Sequence, residues 1–457
     1  MAYKLNIIAK LLYCLMNCKI ISLFLISILF FPSISSFTNA VTVESRYEER
    51  EFPESYLIED VPYIYQEGGF FCFYASEAMI FKYLGINTSL REILYLKGLG
   101  HSIVYPSWYN TKIPIAVDGA HLGYYIEDEY YISELYGLNF SYWPTNTTDY
   151  YEGMYEEYLF YAKQNLSKNL PLMVFVDVYQ LPFVKEKYNL PDFLYKSFKG
   201  SHCIVLVGYN ESNNTVCVQD PAGNDYGDET CGVYEWIDVD DFKVAVLGHS
   251  DGFPNFYRYA PVSEPLPKNE IFEIAYERNI DRLKGNTSSF NATLVEALGN
   301  ESFFYGINAT KKLKEAYSTG MYNRILTMSL YELYGKFGIR YRIYEILRSL
   351  EFLPKAWRDR FNIYHWNGFT YTIECKMFAA DFLRDNLDLS PKCEYELALL
   401  EQEAQNWSKI NCYFNIFQKQ GILMSRLKAL YLMSHMEDIM ENIVSIEESI
   451  ISGPTIY

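Results

Sequence analysis

Apolar positions along the chain follow two patterns. From about Val61 to Ala260, short β-branched and aromatic runs occur in PLMVFVDVY (171–179), HCIVLVGYN (202–210), TVCVQDP (215–221) and GVYEWID (232–238). Each is bounded by turn-forming residues and reads as a strand. Ahead of them Cys72, Ala75, Met79 and Tyr83 share one helical face, which predicts a helix beginning near the cysteine and stopping at Gly85, with Gly68 and Gly69 free to turn sharply before it. After PVSEPLPKNE, with Pro261, Pro265 and Pro267, the period becomes helical: Leu423, Leu427 and Leu430, then Met436, Ile439, Met440 and Ile443, fall at spacings of three and four. The pattern predicts an α+β domain over 41–260, a Pro-rich linker over 261–270 and a mostly α-helical domain over 271–457. That division suits 457 residues at about 100–200 per domain, and there is no internal repeat.

Residues 1–40 stand apart. They carry Lys4, Lys10 and Lys19, no acid, and the apolar run IISLFLISILFF, the layout of a signal peptide or membrane anchor, which predicts an extracytoplasmic protein, secreted or held on the outer membrane face by this segment alone. Eleven N-x-[ST] sequons, among them Asn87, Asn139, Asn165, Asn308 and Asn406, would be solvent-facing acceptors in a glycosylating host. Without residues 1–40 the chain has 36 basic and 57 acidic side chains, a net charge of −21, which argues against nucleic acid or anionic lipid as partner. Seven cysteines then remain; in an oxidising compartment Cys217 with Cys231, and two of Cys375, Cys393 and Cys412, are expected to bridge, leaving at least one thiol unpaired.

Cys72 has the most suggestive surroundings. A thiol at a helix N-terminus has its thiolate stabilised by the macrodipole and by free N–H groups, although on its helix alone it reads first as a small buried apolar residue. Of six histidines, His101 and His121 sit in glycine-containing loops as structural residues, and His249, His365 and His435 have no ligand pattern around them. No H-E-x-x-H, paired C-x-x-C or EF-hand loop occurs, so neither a metal site nor a cofactor is implied. His202 differs, because it opens an apolar strand whose hairpin partner ends at Asp220, within reach to orient its imidazole. Cys72, His202 130 residues later, Asp220 on the next strand and Gln66 six residues before the cysteine form the order and spacing of a papain-like thiol enzyme. There the histidine takes the thiol proton, the thiolate attacks an acyl carbon, and the glutamine amide joins the cysteine N–H around the oxyanion.

VPYIYQEGGFFCFYASEAMIFKYLG and GSHCIVLVGY…VCVQDPAG resemble the peptidase domain of bacteriocin-processing transporters and its stand-alone relatives. The resemblance implies Gln66 as oxyanion donor, Cys72 as nucleophile, His202 as base and Asp220 as its orienting partner. Where that family has glycine and a small residue after the cysteine, this chain has Phe73 and Tyr74. PLMVFVDVYQLPF, GLGHSIVY and FAADFLRDNLDL…ELALLEQEAQNWSKI are similar to the butirosin-biosynthesis protein H family, which joins a papain-like domain to a helical one and whose namesake transfers an acyl group to an amine. Three functions follow: cleavage of a peptide or amide bond through a Cys72 acyl-enzyme, acyl transfer to an amine through the same intermediate, or a non-catalytic surface binding protein. The helical domain is expected to act as a cap, with Trp366 and Trp407 at a cleft between the domains.

Overall fold

The elements form where the apolar pattern puts them. In a computed structural model, which describes residues 52–67, 71–106, 117–118, 126–144, 150–188, 200–223, 231–249, 254–286, 303–320, 368–420 and 424–454, the chain begins with β1 (Ser55–Leu57), α1 (Cys72–Tyr83), α2 (Leu90–Leu96), β2 (Ile103–Pro106) and β3 (Val117–Asp118). It continues through α3 (Ile126–Leu135), β4 (Leu138–Trp143), α4 (Met154–Leu166), β5 (Leu172–Asp177), α5 (Pro182–Tyr188), β6 (Ser201–Asn210), β7 (Thr215–Gln219) and β8 (Glu235–Asp238). Then come α6 (Val239–Gly248), β9 (Phe256–Pro261), α7 (Lys268–Leu283), β10 (Phe303–Tyr305), α8 (Ile307–Glu315), α9 (Gly368–Arg384), α10 (Pro391–Gln420) and α11 (Arg426–Ser452). The predicted features at residues 1–40, Gly68, Gly69, His121, His365, Trp366, Leu423 and the sequons at Asn146, Asn291 and Asn300 lie outside the described residues.

Strands β4, β9, β5, β6, β7 and β8 lie side by side in that order, and β1 also pairs with β6, giving a seven-stranded antiparallel sheet. β5 is buried throughout and β6 at all but its two ends, which is why both read as continuous apolar runs rather than alternating ones. β6 and β7 form the predicted hairpin, but their register slips between Leu206 and Gly208. Val205 faces Gln219 and Leu206 faces Val218, whereas Gly208 faces Cys217, so Val207 is the extra residue of a β-bulge. Gly208 suits that place for a second reason: a Cβ there would lie 2.8 Å from Tyr56 O, so only glycine lets β1 come this close.

α1 ends as its sequence predicts. Gly85 takes φ +87°, its N–H bonds Lys82 O, and the Ile86 N–H bonds Phe81 O, the paired closure of a Schellman motif. Its amphipathic reading is too narrow, because ten of the twelve residues are buried, on every side of the helix. The sheet covers one flank, with Phe73 against Phe175 and Tyr257. Elsewhere the helical segment covers it: Phe71, which precedes Cys72, stacks on Tyr371 at 5.5 Å between centroids and meets Phe378 edge-on at 4.9 Å, both from α9.

Residues 52–457 form one compact unit in which the two halves of the chain share a core. The small sheet also crosses between them, since β10 pairs with β2 and β2 with β3. Residues 261–270 hold the end of β9, a connection fixed by Val262 and Ser263 N–H on Gly137 O and Leu266 N–H on Leu135 O, and the start of α7. Among the described residues no helix is long and apolar enough to cross a membrane.

The structure corrects several expectations. Met436, Met440 and Ile443 are buried as predicted, but Leu427 is 80% exposed, because it stands two residues from buried Ala429, about 200° around the helix. Trp407 lines no cleft; it is fully buried against Phe369 and donates its indole N–H to Glu403 Oε1 at 3.1 Å. Cys217 is a free thiol, so its expected bridge to Cys231 is not made, and Cys393 and Cys412 are free as well, which leaves no bridge among the last three cysteines. The sequons divide as well: Asn87, Asn139 and Asn308 are exposed, but Asn165 and Asn406 are buried, and the Asn165 amide bonds Tyr161 O and Arg258.

Shared packing at the start of α1 makes a stability prediction. Tyr371→Ala removes the ring stacked on Phe71 and is expected to lower unfolding stability by about 3 kcal/mol. Chemical denaturation followed by tryptophan fluorescence and far-UV circular dichroism would check this, with both signals expected to move together to lower denaturant.

Candidate active site

Cys72 is the first residue of α1, where the helix leaves its first N–H groups without intrahelical partners, and Phe71 supplies no side-chain cap. His202 is the second residue of β6, and the sheet carries it beside the thiol, close enough for each to shift the other's pKa. His202 Nε2 lies 2.7 Å from Asp220 Oδ1, which leaves Nδ1 as the ring nitrogen available to the thiol. Asp220 is fully buried, and the same Oδ1 accepts the Ala222 N–H at 2.8 Å. It therefore begins a turn, as an aspartate before proline commonly does, and orients the histidine as well.

The electrostatics follow from this geometry. Burial alone would raise the Cys72 thiol pKa, but the His202 charge and hydrogen bond, together with the Cys203 N–H, outweigh it and hold it below the ordinary thiol range. Burial would likewise strip His202 of its proton, yet the charges of Asp220 and Cys72 raise its pKa well above the usual imidazole range. Each half thus favours the charged form of the other, the direction of a thiolate–imidazolium pair. The neighbouring thiols go the other way: burial, then the Cys72 charge, raises Cys203 well above its ordinary value, and burial pushes Cys217 up to about 12.

Gln66 is buried in the extended stretch before α1, and its N–H donates to Pro221 O at 3.0 Å, one residue beyond Asp220. The structure thus brings Cys72, His202 and Asp220 into contact and ties the Gln66 backbone to the turn that Asp220 begins. Phe73 and Tyr74 follow the thiol along the helix. Both are buried, and the Lys97 ammonium lies 4.7 Å from the Phe73 ring and 5.5 Å from that of Tyr74. Lys97 Nζ is also 2.5 Å from both Glu77 Oε2 and Glu129 Oε1. Burial, then the Glu129 charge, raises Glu77 well above the carboxylate range, so it keeps its proton while Lys97 and Glu129 form the ion pair.

The other described histidines have structural settings. His101 is buried with Nε2 2.6 Å from Glu396 Oε1, a carboxylate that also accepts the Tyr95 hydroxyl at 3.0 Å. His249 Nε2 is 2.7 Å from Ser201 Oγ, and His435 packs against Tyr431. No group of residues among those described is arranged to hold a metal ion. Sequence reasoning missed the Cys203 N–H and the contacts fixing the stretch before Gln66. Backbone donors leave no mark in side-chain identity, and only DPAG, as a turn signal, pointed to that loop.

Residues 58–238 match the model of the Peptidase_C39 like family. With the antiparallel sheet and the helix-borne cysteine, this part of the chain resembles a papain-like cysteine peptidase domain. Among curated proteins the chain is similar to Uncharacterized protein YobF of Bacillus subtilis, at 25% identity over 253 residues, 53% of this chain and 69% of that one. Among solved structures it is similar to xylellain, a cysteine protease from Xylella fastidiosa, with a TM-score of 0.27 and 14% identity over 51% of this chain and 95% of that one.

The depressed thiol makes a rate prediction. Iodoacetamide is expected to alkylate Cys72 fastest of the cysteines, with a rate that holds below the ordinary thiol range and falls only as pH drops through the lowered pKa. In His202→Ala burial dominates, and since each pKa unit is tenfold in thiolate fraction, the rate near neutral pH is expected to fall more than about tenfold. Asp220→Asn lowers the histidine pKa and should bring the loss of the ion pair to lower pH. Site-resolved mass spectrometry across a pH series measures all three.

Proposed function

We propose that this protein is a thiol hydrolase that cleaves a peptide or amide bond through a Cys72 acyl-enzyme. The observation that carries the reading is the 2.7 Å hydrogen bond of His202 to Asp220 beside a thiol that His202 holds below its ordinary range, at the start of a buried helix. The thiolate attacks the acyl carbon, and the oxyanion that forms lies toward the Cys72 N–H and the Gln66 amide. The imidazolium returns its proton from Nδ1 to the leaving amine, the acyl–sulfur bond remains, and water activated by the same nitrogen releases the acid. Asp220 fixes the ring tautomer and supports its charge throughout. The free state of Cys72 favours this chemistry over a non-catalytic binder on the same fold.

A second reading keeps the acyl-enzyme and changes the acceptor. In the butirosin-type layout an amine takes the acyl group, and the seating of α9 against Phe71 at the mouth of the nucleophile helix is the observation in its favour. Residues 1–40, read as an export segment, place either activity outside the cytoplasm on a peptide, amide or acyl substrate, with contact to the membrane only through that segment.

The test is mass spectrometry of the protein after exposure to peptide and amide libraries, with and without added amines. A Cys72 acyl adduct and released free acid are expected; an amide product with the added amine supports transfer, and absence of any Cys72 adduct sinks both. Cys72→Ala is expected to lower turnover by at least about 10³-fold.

A further inference from the structure

The stretch from Val61 to Gln66 forms neither helix nor strand, yet it carries the oxyanion donor of the proposed reaction. Four of its hydrogen bonds tie it to the strands and turn beside it. The Val61 N–H donates to the Tyr234 hydroxyl at 3.0 Å, and Val61 O accepts the Gln219 side-chain amide at 2.8 Å. The Tyr63 hydroxyl accepts the Gly223 N–H at 3.1 Å, and the Gln66 N–H reaches Pro221 O at 3.0 Å. Three of these four partners lie in residues 219–223, the short piece of chain that also holds Asp220 against His202.

Gln219 is the central member. It is the last residue of β7, pairs with Val205 in β6, and is fully buried. Side chains alternate along a strand, so Gln219 projects away from its neighbour Asp220, toward the stretch that leads to Gln66. One strand end thus supports both sides of the site, Asp220 orienting the base and Gln219 holding the arm that presents the oxyanion donor. We propose that Gln219 is a positioning residue that acts through Gln66, coupling the oxyanion arm to the Asp220 turn. The inference rests on the acyl-enzyme reading and names a residue it did not include.

Because Gln219 acts on the oxyanion and not on the ion pair, two reactions of the same thiol separate its role from general damage. Alkylation by iodoacetamide forms no oxyanion, whereas acylation by p-nitrophenyl acetate does. In Gln219→Met, which keeps the shape and removes the donor, the acylation rate is expected to fall about tenfold or more while the alkylation rate and its pH profile stay within about twofold. Gln66→Ala should show the same selectivity, and the double variant should be no slower than Gln66→Ala alone. Parallel loss of both rates in Gln219→Met, or multiplicative losses in the double variant, overturns the coupling. If Gln66→Ala acylates at the full rate, the oxyanion assignment itself fails and the coupling with it. If Gln66→Ala is impaired beside an unimpaired Gln219→Met, only the coupling fails. Tyr63→Phe, which removes the acceptor of the Gly223 N–H, is the second variant should Gln219→Met not fold, with a smaller loss of acylation at unchanged alkylation expected and unchanged acylation overturning the proposal.

Discussion

A 2.7 Å hydrogen bond across one end of a β-hairpin, from His202 to Asp220, is the constraint on which the site depends. It exists because of the bulge. On the turn side of Val207 the pairing Gly208 with Cys217, continued toward the site, would set Asp220 opposite Val205, with its side chain on the face away from His202. Beyond the bulge the pairing Val205 with Gln219 continues to Ile204 opposite Asp220, and Ile204 shares a face with His202. One extra residue therefore decides whether base and carboxylate meet. The contact then supports a charge arrangement that burial opposes, because an isolated imidazolium or thiolate in this interior would lose its charge.

The same logic explains how the nucleophile helix tolerates its unusual neighbours. A buried helix with Phe73 and Tyr74 after the thiol needs space on the core side, and the structure fills that space with a buried ammonium against both rings. Lys97 in turn requires a counter-charge, which Glu129 provides, while Glu77 remains protonated. Glu129 also accepts the Tyr259 hydroxyl at 2.6 Å, linking the cluster to β9. The aromatics beside Cys72 are thus part of a polar core beneath the helix, and the helical segment closes the other side through Phe71.

Much of this was legible in the sequence, and the reasons are specific. Buried strands declare themselves as unbroken apolar runs, so β5, β6 and β7 appeared where the pattern placed them, and glycine at a left-handed cap ended α1 at the expected place. The residues of the site were legible through their chemical types and order. The bulge was not, because Val207 is an ordinary strand residue and nothing in GSHCIVLVGYN marks which position is unpaired. Nor was the direction of Phe73, which depends on the distant Lys97, Phe175 and Tyr257. Cysteine pairing was misread for a related reason: count and compartment suggest bridges, but Cys217 lies within a strand of the central sheet.

The burial of the reactive pair bears on the choice between water and an amine as acceptor. Cys72 is 5% and His202 6% exposed, so little of either side chain faces solvent. On the acyl-enzyme reading, the partition between water and an amine would then depend on what the space beside the pair admits as well as on the strength of the nucleophile. Both readings of the chemistry use the same thiolate, the same imidazolium and the same oxyanion arm. What would distinguish them lies in the chain around the pair, where the stretch tied to the Asp220 turn carries Gln66 and the α9 rings pack on Phe71, the residue before the thiol.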